Sequence, residues 1–441
     1  MMKKIIMFMI AVATMTVYAQ ETKSDEAKQA PAVENSLTGI KINGMLRLRP
    51  EVKANNNFVA GQPNNLEFVG SKLWLTVSKE FKDGSKMLVT IQDARVFGDE
   101  QNGASGLSTA NETQALDVRE AYVDLANFLG SPLNLQIGRQ KLIYGDQRLI
   151  GGLDWTNVGR SFDAARLKWD TKTNSLHAWA AILTEDNSND LKNWNGNNSR
   201  EQYLSSLYNT YKGINNLFLD TYYINKTDQL NNYYLHTLGL RITNRTNKGK
   251  ASGDFDYTLE AAYQLGDKNK NTKISAYAAA LALGYKIGLG VPVRLGAEFD
   301  IASGDKDATD NKYETFANLV PTNHLYYGQA DLISWQNMLA GNFNLTFFFT
   351  KAFSTKVAYW YLSRLTEKDA WYNVGGGVAS ALSTNTEKEL AHEIDVTLKY
   401  KAREYLFFGA GYSIALRGKA LKDDGRNGDF HFAYISSTVK F

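Results

Sequence analysis

Beyond residue 38 the chain alternates apolar and polar positions with a period of two, in runs of about ten residues separated by polar breaks. In "IKINGMLRLRPE", Ile40, Ile42, Leu46 and Leu48 share one parity; Lys41, Asn43, Arg47, Arg49 and Glu51 share the other. "DYTLEAAYQ" sets Tyr257, Leu259, Ala261 and Tyr263 against Thr258, Glu260, Ala262 and Gln264. "PVRLGAEFD" sets Val293, Leu295, Ala297 and Phe299 against Arg294, Gly296, Glu298 and Asp300. "HEIDVTLKY" sets Ile394, Val396, Leu398 and Tyr400 against Glu393, Asp395, Thr397 and Lys399. These are strands with one apolar face. In a soluble sandwich that face points inward. In a membrane barrel it points outward to lipid, and the charged face lines a water-filled lumen. Alternation alone does not separate the two.

The breaks do. The pattern predicts about 18 strands, centred near residues 45, 73, 90, 120, 137, 166, 179, 206, 220, 239, 260, 280, 296, 344, 359, 396, 410 and 436. Gaps after odd-numbered strands are long: 52–65, 98–113, 145–160, 186–200, 303–334 and 366–387. Gaps after even-numbered strands are tight, as in "FKDG", "DTKT", "KGIN", "IGLG", "TKAF" and "KARE". Long loops on one side and short turns on the other belong to outer-membrane barrels; a sandwich gives no reason for them. The gaps near 229 and 268 break this rule by being short and the turn at 246–253 by being long, which leaves the count open by two. The fold expected is all-β: a transmembrane antiparallel up-and-down barrel with long extracellular loops and short periplasmic turns. Closure leaves no unpaired backbone in lipid.

The two ends of the chain agree. "MMKKIIMFMIAVATMTVYAQ" has a basic start at Lys3 and Lys4, a short apolar core and a small-residue cleavage site at Ala19, the plan of a secretory signal peptide over 1–19. Residues 20–38 are polar and aperiodic, a disordered periplasmic lead-in, and 39–441 form the barrel. In "HFAYISSTVKF", Phe441 shares parity with Val439, Ile435 and Ala433. A terminal aromatic of this kind resembles the sorting signal by which the barrel assembly machinery takes up outer-membrane strands.

Composition narrows the functions. The chain has 6 Pro against 24 Tyr and 21 Phe, which suits extended sheet. With no cysteine it has no disulfide framework or thiolate metal site. Net charge is +3, and about +1 without the leader lysines, so nothing points to nucleic acid. The charge is instead patterned by parity. Facing the lumen are Arg47, Arg49, Lys72, Arg166, Lys168, Arg241 and Arg294, with Glu51, Glu260, Glu298, Asp300, Glu393 and Asp395. Such a mixed wall serves either as selectivity rings or as wall-to-wall salt bridges. Ala276, Ala278, Ala280, Ala282 and Gly284 share the inward parity of the twelfth strand, which is expected to leave the lumen open there.

"GRQKLIYGDQRLIGGLDWTNVGRSFDAARL" (138–167), "TFANLVPTNHLYYGQADLISWQN" (315–337) and "HEIDVTLKYK" (392–401) resemble segments of the alginate export family of outer-membrane channels, and the resemblance spans residues 39–441. The resemblance implies an 18-stranded barrel passing an anionic polyuronate, with arginines at a constriction falling on Arg139 and Arg166. Parity places Arg166 in the lumen with Lys168, opposite Leu167 and Trp169, and makes 145–160 an outside loop. Arg139 shares the outward parity of Leu135 and Ile137; a bulge near Gly138 would re-aim it.

Catalytic chemistry finds little support. None of the five histidines sits in a nucleophile motif; His324, in "PTNHLYYG", is the one in a distinctive loop. Asp305, Asp307 and Asp310 have calcium-like spacing without the central Gly, the composition of a solvated acidic loop. The expected function is therefore a monomeric, cofactor-free outer-membrane channel for an anionic or polar saccharide. The alternative is a general diffusion porin for small nutrients, with a barrel enzyme or surface-binding barrel behind both.

Overall fold

The computed structural model describes residues 39–61, 65–98, 114–183, 202–228, 231–245, 254–382 and 385–441, all within one compact unit. The expected leader and lead-in, much of the loops after strands three and seven, and the turn at 246–253 lie outside the described residues.

Among the described residues, eighteen long strands form one closed antiparallel up-and-down barrel. In chain order they are β1 (Ile40–Ala54), β2 (Leu66–Glu80), β3 (Lys86–Phe97), β4 (Gln114–Leu125), β5 (Asn134–Gln140), β6 (Phe162–Asp170), β7 (Asn174–Leu183), β8 (Gln202–Ile214) and β9 (Leu217–Asp228). They continue as β10 (Tyr233–Thr243), β11 (Phe255–Asp267), β12 (Lys273–Leu289), β13 (Val291–Ala302), β14 (Met338–Phe348), β15 (Phe353–Arg364), β16 (Glu389–Lys401), β17 (Leu406–Arg417) and β18 (Phe430–Lys440). Every strand centre expected from the alternation falls inside one of them. Each strand pairs with its chain neighbours, and β1 closes the ring by pairing with β2 on one side and β18 on the other. Phe441 completes the seam: its N–H donates to the Gly44 carbonyl at 3.0 Å and its carbonyl accepts from Gly44 at 2.8 Å. Among the described residues the α-helix is Lys419–Asp423, a single short turn in the β17–β18 loop.

The parity question is settled by exposure. Leu46, Leu48, Leu73, Leu167, Leu238, Leu281, Phe299, Phe343 and Ile394 are exposed, while Arg49, Lys72, Arg241, Asp300 and Glu393 are buried. A soluble sandwich reverses this order. An apolar outer band over a charged interior is the arrangement a bilayer imposes.

Three features depart from the expected picture. β5 and β6 are short, 7 and 9 residues, so the wall between β4 and β7 is low. The β5–β6 connection, read as an outside loop, instead turns into the lumen: Leu149, Ile150 and Asn157 are buried. In β3–β4 the register slips so that Thr90 faces Glu120 and Ile91 faces Val118. The extra residue, Arg119, is turned inward by this bulge along with Glu120.

Candidate functional site: a plug of two loops in the lumen

Two segments enter the barrel, residues 141–161 between β5 and β6 and 303–337 between β13 and β14. They clasp each other by main chain. Ile150 and Val320 form a parallel bridge. Gly151 N–H donates to the Val320 carbonyl, Val320 N–H to Leu149 and Thr322 N–H to Gln147, each at 2.9 Å. The approach needs a bare residue at 151, where a Cβ would come within 2.2 Å of Thr322 Oγ1. Val320 of the clasp is buried, as are Phe316, Tyr327 and Trp335 of the same segment.

Ala276, Ala278 and Ala280 belong to the same buried cluster. Small side chains on β12 therefore do not leave the lumen open, as parity alone had suggested. They make room for the second loop.

The wall charges hold the plug. Arg148, in the first loop, donates to Asp300 Oδ1 at 3.0 Å and to the Tyr327 hydroxyl at 2.8 Å, and pairs with Glu298. Its guanidinium also lies 3.9 Å from the Tyr326 ring centroid. Burial holds the Tyr326 and Tyr327 hydroxyls well above the usual phenol range, so Arg148 meets two carboxylates and neutral phenols. Arg241 bridges Asp220 of β9 and Asp146 of the loop, each at 2.5 Å. Arg49 takes Glu51 at 2.5 Å and the Trp155 carbonyl at 2.6 Å. Arg47 donates to Asn157 Oδ1 at 2.9 Å, and Lys72 to the carbonyls of Thr156 and Asp154 at 2.7 and 2.8 Å. Arg119 holds the Gly152 carbonyl at 2.9 Å and Asp154 at 2.8 Å.

From β16, Glu393 accepts the Ala330 N–H at 2.8 Å and Asp395 the Gln329 N–H at 3.3 Å. Gly328 allows this: its φ is +93° and a Cβ there would collide with the Glu393 carboxylate.

Most of the charges expected to form free selectivity rings are thus partners of the loops. Arg47, Arg49, Arg241, Glu298, Asp300, Glu393 and Asp395 are wall-to-loop latches, and Arg49 and Arg241 also make wall-to-wall bridges to Glu51 and Asp220. Glu260 accepts from the Tyr222 hydroxyl at 2.9 Å. Arg294 pairs with Asp256 of β11 at 2.6–2.7 Å. Lys168 pairs with Asp124.

The two arginines singled out by motif separate. Arg166 is in the lumen and donates to Gln136 Oε1 at 2.6 Å; among the described residues it has no ion-pair partner. Above it is Tyr144 of the first loop, whose hydroxyl burial pushes up to about 12, against the pull of Arg166. Arg139 is corrected to the outer face. Gly138 has a φ of +122°, yet the β4–β5 and β5–β6 registers run through it unshifted, so Arg139 keeps the parity of exposed Ile137. There it forms a forked pair with Asp163 at 2.9–3.0 Å.

Arg148 and Arg119 were missed. Arg148 has no strand parity to announce it, and Arg119 is turned inward by the bulge. His324 is packing: Asp331 lies 2.8 Å from its Nδ1, and its ring stacks on Trp155 at 3.7 Å. Trp155 carries the Arg49 guanidinium 3.9 Å away on its other face. Asp305, Asp307 and Asp310 gather no metal-binding group among the described residues. Asp307 instead caps Thr309.

A closed barrel with a lipid-facing exterior and a charged lumen narrowed by inward loops defines an outer-membrane channel. The chain belongs to the alginate export family, whose model matches residues 39–433. No curated protein matches it. Among solved structures it is similar to the outer membrane protein OprD of Pseudomonas aeruginosa, at 12% identity and TM-score 0.61 over 92% of this chain and 94% of that one. It is also similar to OccK2 (OpdF) of the same organism, solved in complex with glucuronate, at 14% identity and TM-score 0.55 over 91% and 98%. A third is OccAB2 of Acinetobacter baumannii, at 12% identity and TM-score 0.58 over 94% and 99%. At these identities the likeness is one of fold. The long loops are extracellular and the short turns periplasmic.

Proposed function

We propose that the channel passes uronate-type acidic saccharides, with Arg166 as the lumen cation that selects them. The supporting observation is the setting of Arg166. Its hydrogen-bond partner is the Gln136 amide, the Tyr144 phenol lies beside it, and Asp124, which faces Gln136 across the strand pair, is already taken by Lys168. A cation so placed keeps its field for a passing carboxylate, and low-dielectric walls concentrate that field. Family membership supports the acidic-glycan class, and so does the structural relative solved in complex with glucuronate. Arg47, Arg49, Lys72, Arg119 and Arg241 serve the plug, so binding near Arg166 stays weak enough for a chain to leave, as conduction requires.

The expected result for Arg166→Ala is a drop of roughly two- to fivefold in anion-over-cation permeability at low salt. The drop should shrink as the Debye length falls below about 10 Å above 0.1 M. Reversal potentials in planar bilayers measure it. If they do not move, and uronate oligomers fail to block wild-type current, the general diffusion porin is the correct reading.

A further inference from the structure

The wall below the plug carries cations that no loop uses. Lys286, Arg294, Thr346, Lys356 and Thr397 are direct partners across five successive strands, β12 to β16: Lys286 faces Arg294, Arg294 faces Thr346, Thr346 faces Lys356, and Lys356 faces Thr397. All have lumen parity, opposite exposed Leu283, Tyr285, Phe343 and Val357. Lys399 lies diagonally from Lys356 on the same face, about 7–8 Å away by the geometry of such pairs, and is among its Coulombic neighbours.

The row starts close to the periplasmic turns and climbs. Lys286 is near the end of β12 and Lys356 near the start of β15. Continued through Gly411, the row reaches Tyr434, whose ring meets Trp155 of the plug at 5.0 Å. It therefore leads from the periplasmic mouth to the plug at about 4.8 Å per strand.

The acids around the row are already engaged. Asp256 takes both Arg245 and Arg294, Glu298 takes Arg148, and Asp395 accepts from Gln329. Lys286, Lys356 and Lys399 are exposed and have no ion-pair partner among the described residues. The neutral hydroxyl of Thr346 stands between Arg294 and Lys356, and that of Thr397 beside Lys356 and Lys399. Cations interleaved with hydroxyls along the wall match a chain carrying one carboxylate per sugar and hydroxyls elsewhere.

We infer that this row is a second anion-binding site, separate from Arg166 and from the plug, which captures the carboxylates of an acidic glycan arriving from the periplasm. The inference rests on the uronate reading for its ligand, though not for its charge.

Lys356→Gln/Lys399→Gln tests it, with heat-modifiability on gels confirming a folded barrel. In bilayers of oriented protein, oligogalacturonate added on the periplasmic side should block wild type with an on-rate roughly tenfold above that from the extracellular side. The double variant should lose that advantage and keep its extracellular-side block. Equal block from both sides in wild type, unchanged in the variant, overturns the inference and leaves the uronate channel standing. If oligogalacturonate blocks neither protein, inorganic phosphate is the probe. Periplasmic-side inhibition of chloride current by phosphate in wild type alone upholds the row as an anion site while the uronate reading falls; no difference between the proteins overturns both.

Discussion

Arg148→Met should loosen the plug and raise single-channel conductance, with flicker absent from wild type. The substitution leaves Glu298 and Asp300 without their countercharge, and Asp300 is fully buried. Removing one partner of a buried ion pair costs about 3–5 kcal/mol, which moves the balance between seated and released loops by roughly two decades or more. The barrel itself should remain intact, because the strand ladders do not involve Arg148. New protease sensitivity within 145–154 is the second readout. Neutralising the wall as well, in Arg148→Met/Asp300→Asn, should recover part of the seated state. Wild-type conductance and protection in Arg148→Met would show that the main-chain clasp at Val320 holds the loops without the latch.

Leu281→Arg should abolish most assembly. Leu281 is the midpoint of the 17-residue β12, exposed outward between buried Ala280 and Ala282. An arginine at the bilayer midplane of a barrel exterior costs about 2–4 kcal/mol. The fraction running as the heat-modifiable folded form should fall accordingly, whereas Lys168→Ala, on the lumen face, should assemble normally. Equal assembly of both would mean that the outer band does not face lipid.

What could be read from the chain was whatever obeys the strand period. Alternation placed all eighteen strands, and together with the unequal gaps it gave the correct face to Arg47, Arg166, Glu298 and Glu393. Period two is enforced by the pleat and by the bilayer at every strand, so it survives as pattern. Arg139 shows its strength: motif resemblance drew it toward the constriction, but its parity with Ile137 held.

Partners were not legible. Parity says that Arg49 and Asp300 face inward; it does not say that a loop 106 residues from Arg49, or 152 from Asp300, comes to meet them. Whether a polar loop folds into the lumen depends on contacts made only after closure. The β12 alanines show the same limit, since a small residue reads alike whether it faces water or makes room for Trp335. Arg119 was hidden for a different reason: a bulge breaks the count on which parity depends.

Reversal potential under a salt gradient, in planar bilayers with purified folded protein, tests most directly whether this closed barrel is an anion-favouring channel narrowed by two latched loops. Such a channel gives discrete conductance steps with a reversal potential shifted toward that of chloride at low salt, a shift reduced in Arg166→Ala. Heat-modifiable protein that inserts but gives no steps, or steps with cation preference insensitive to Arg166, would contradict it.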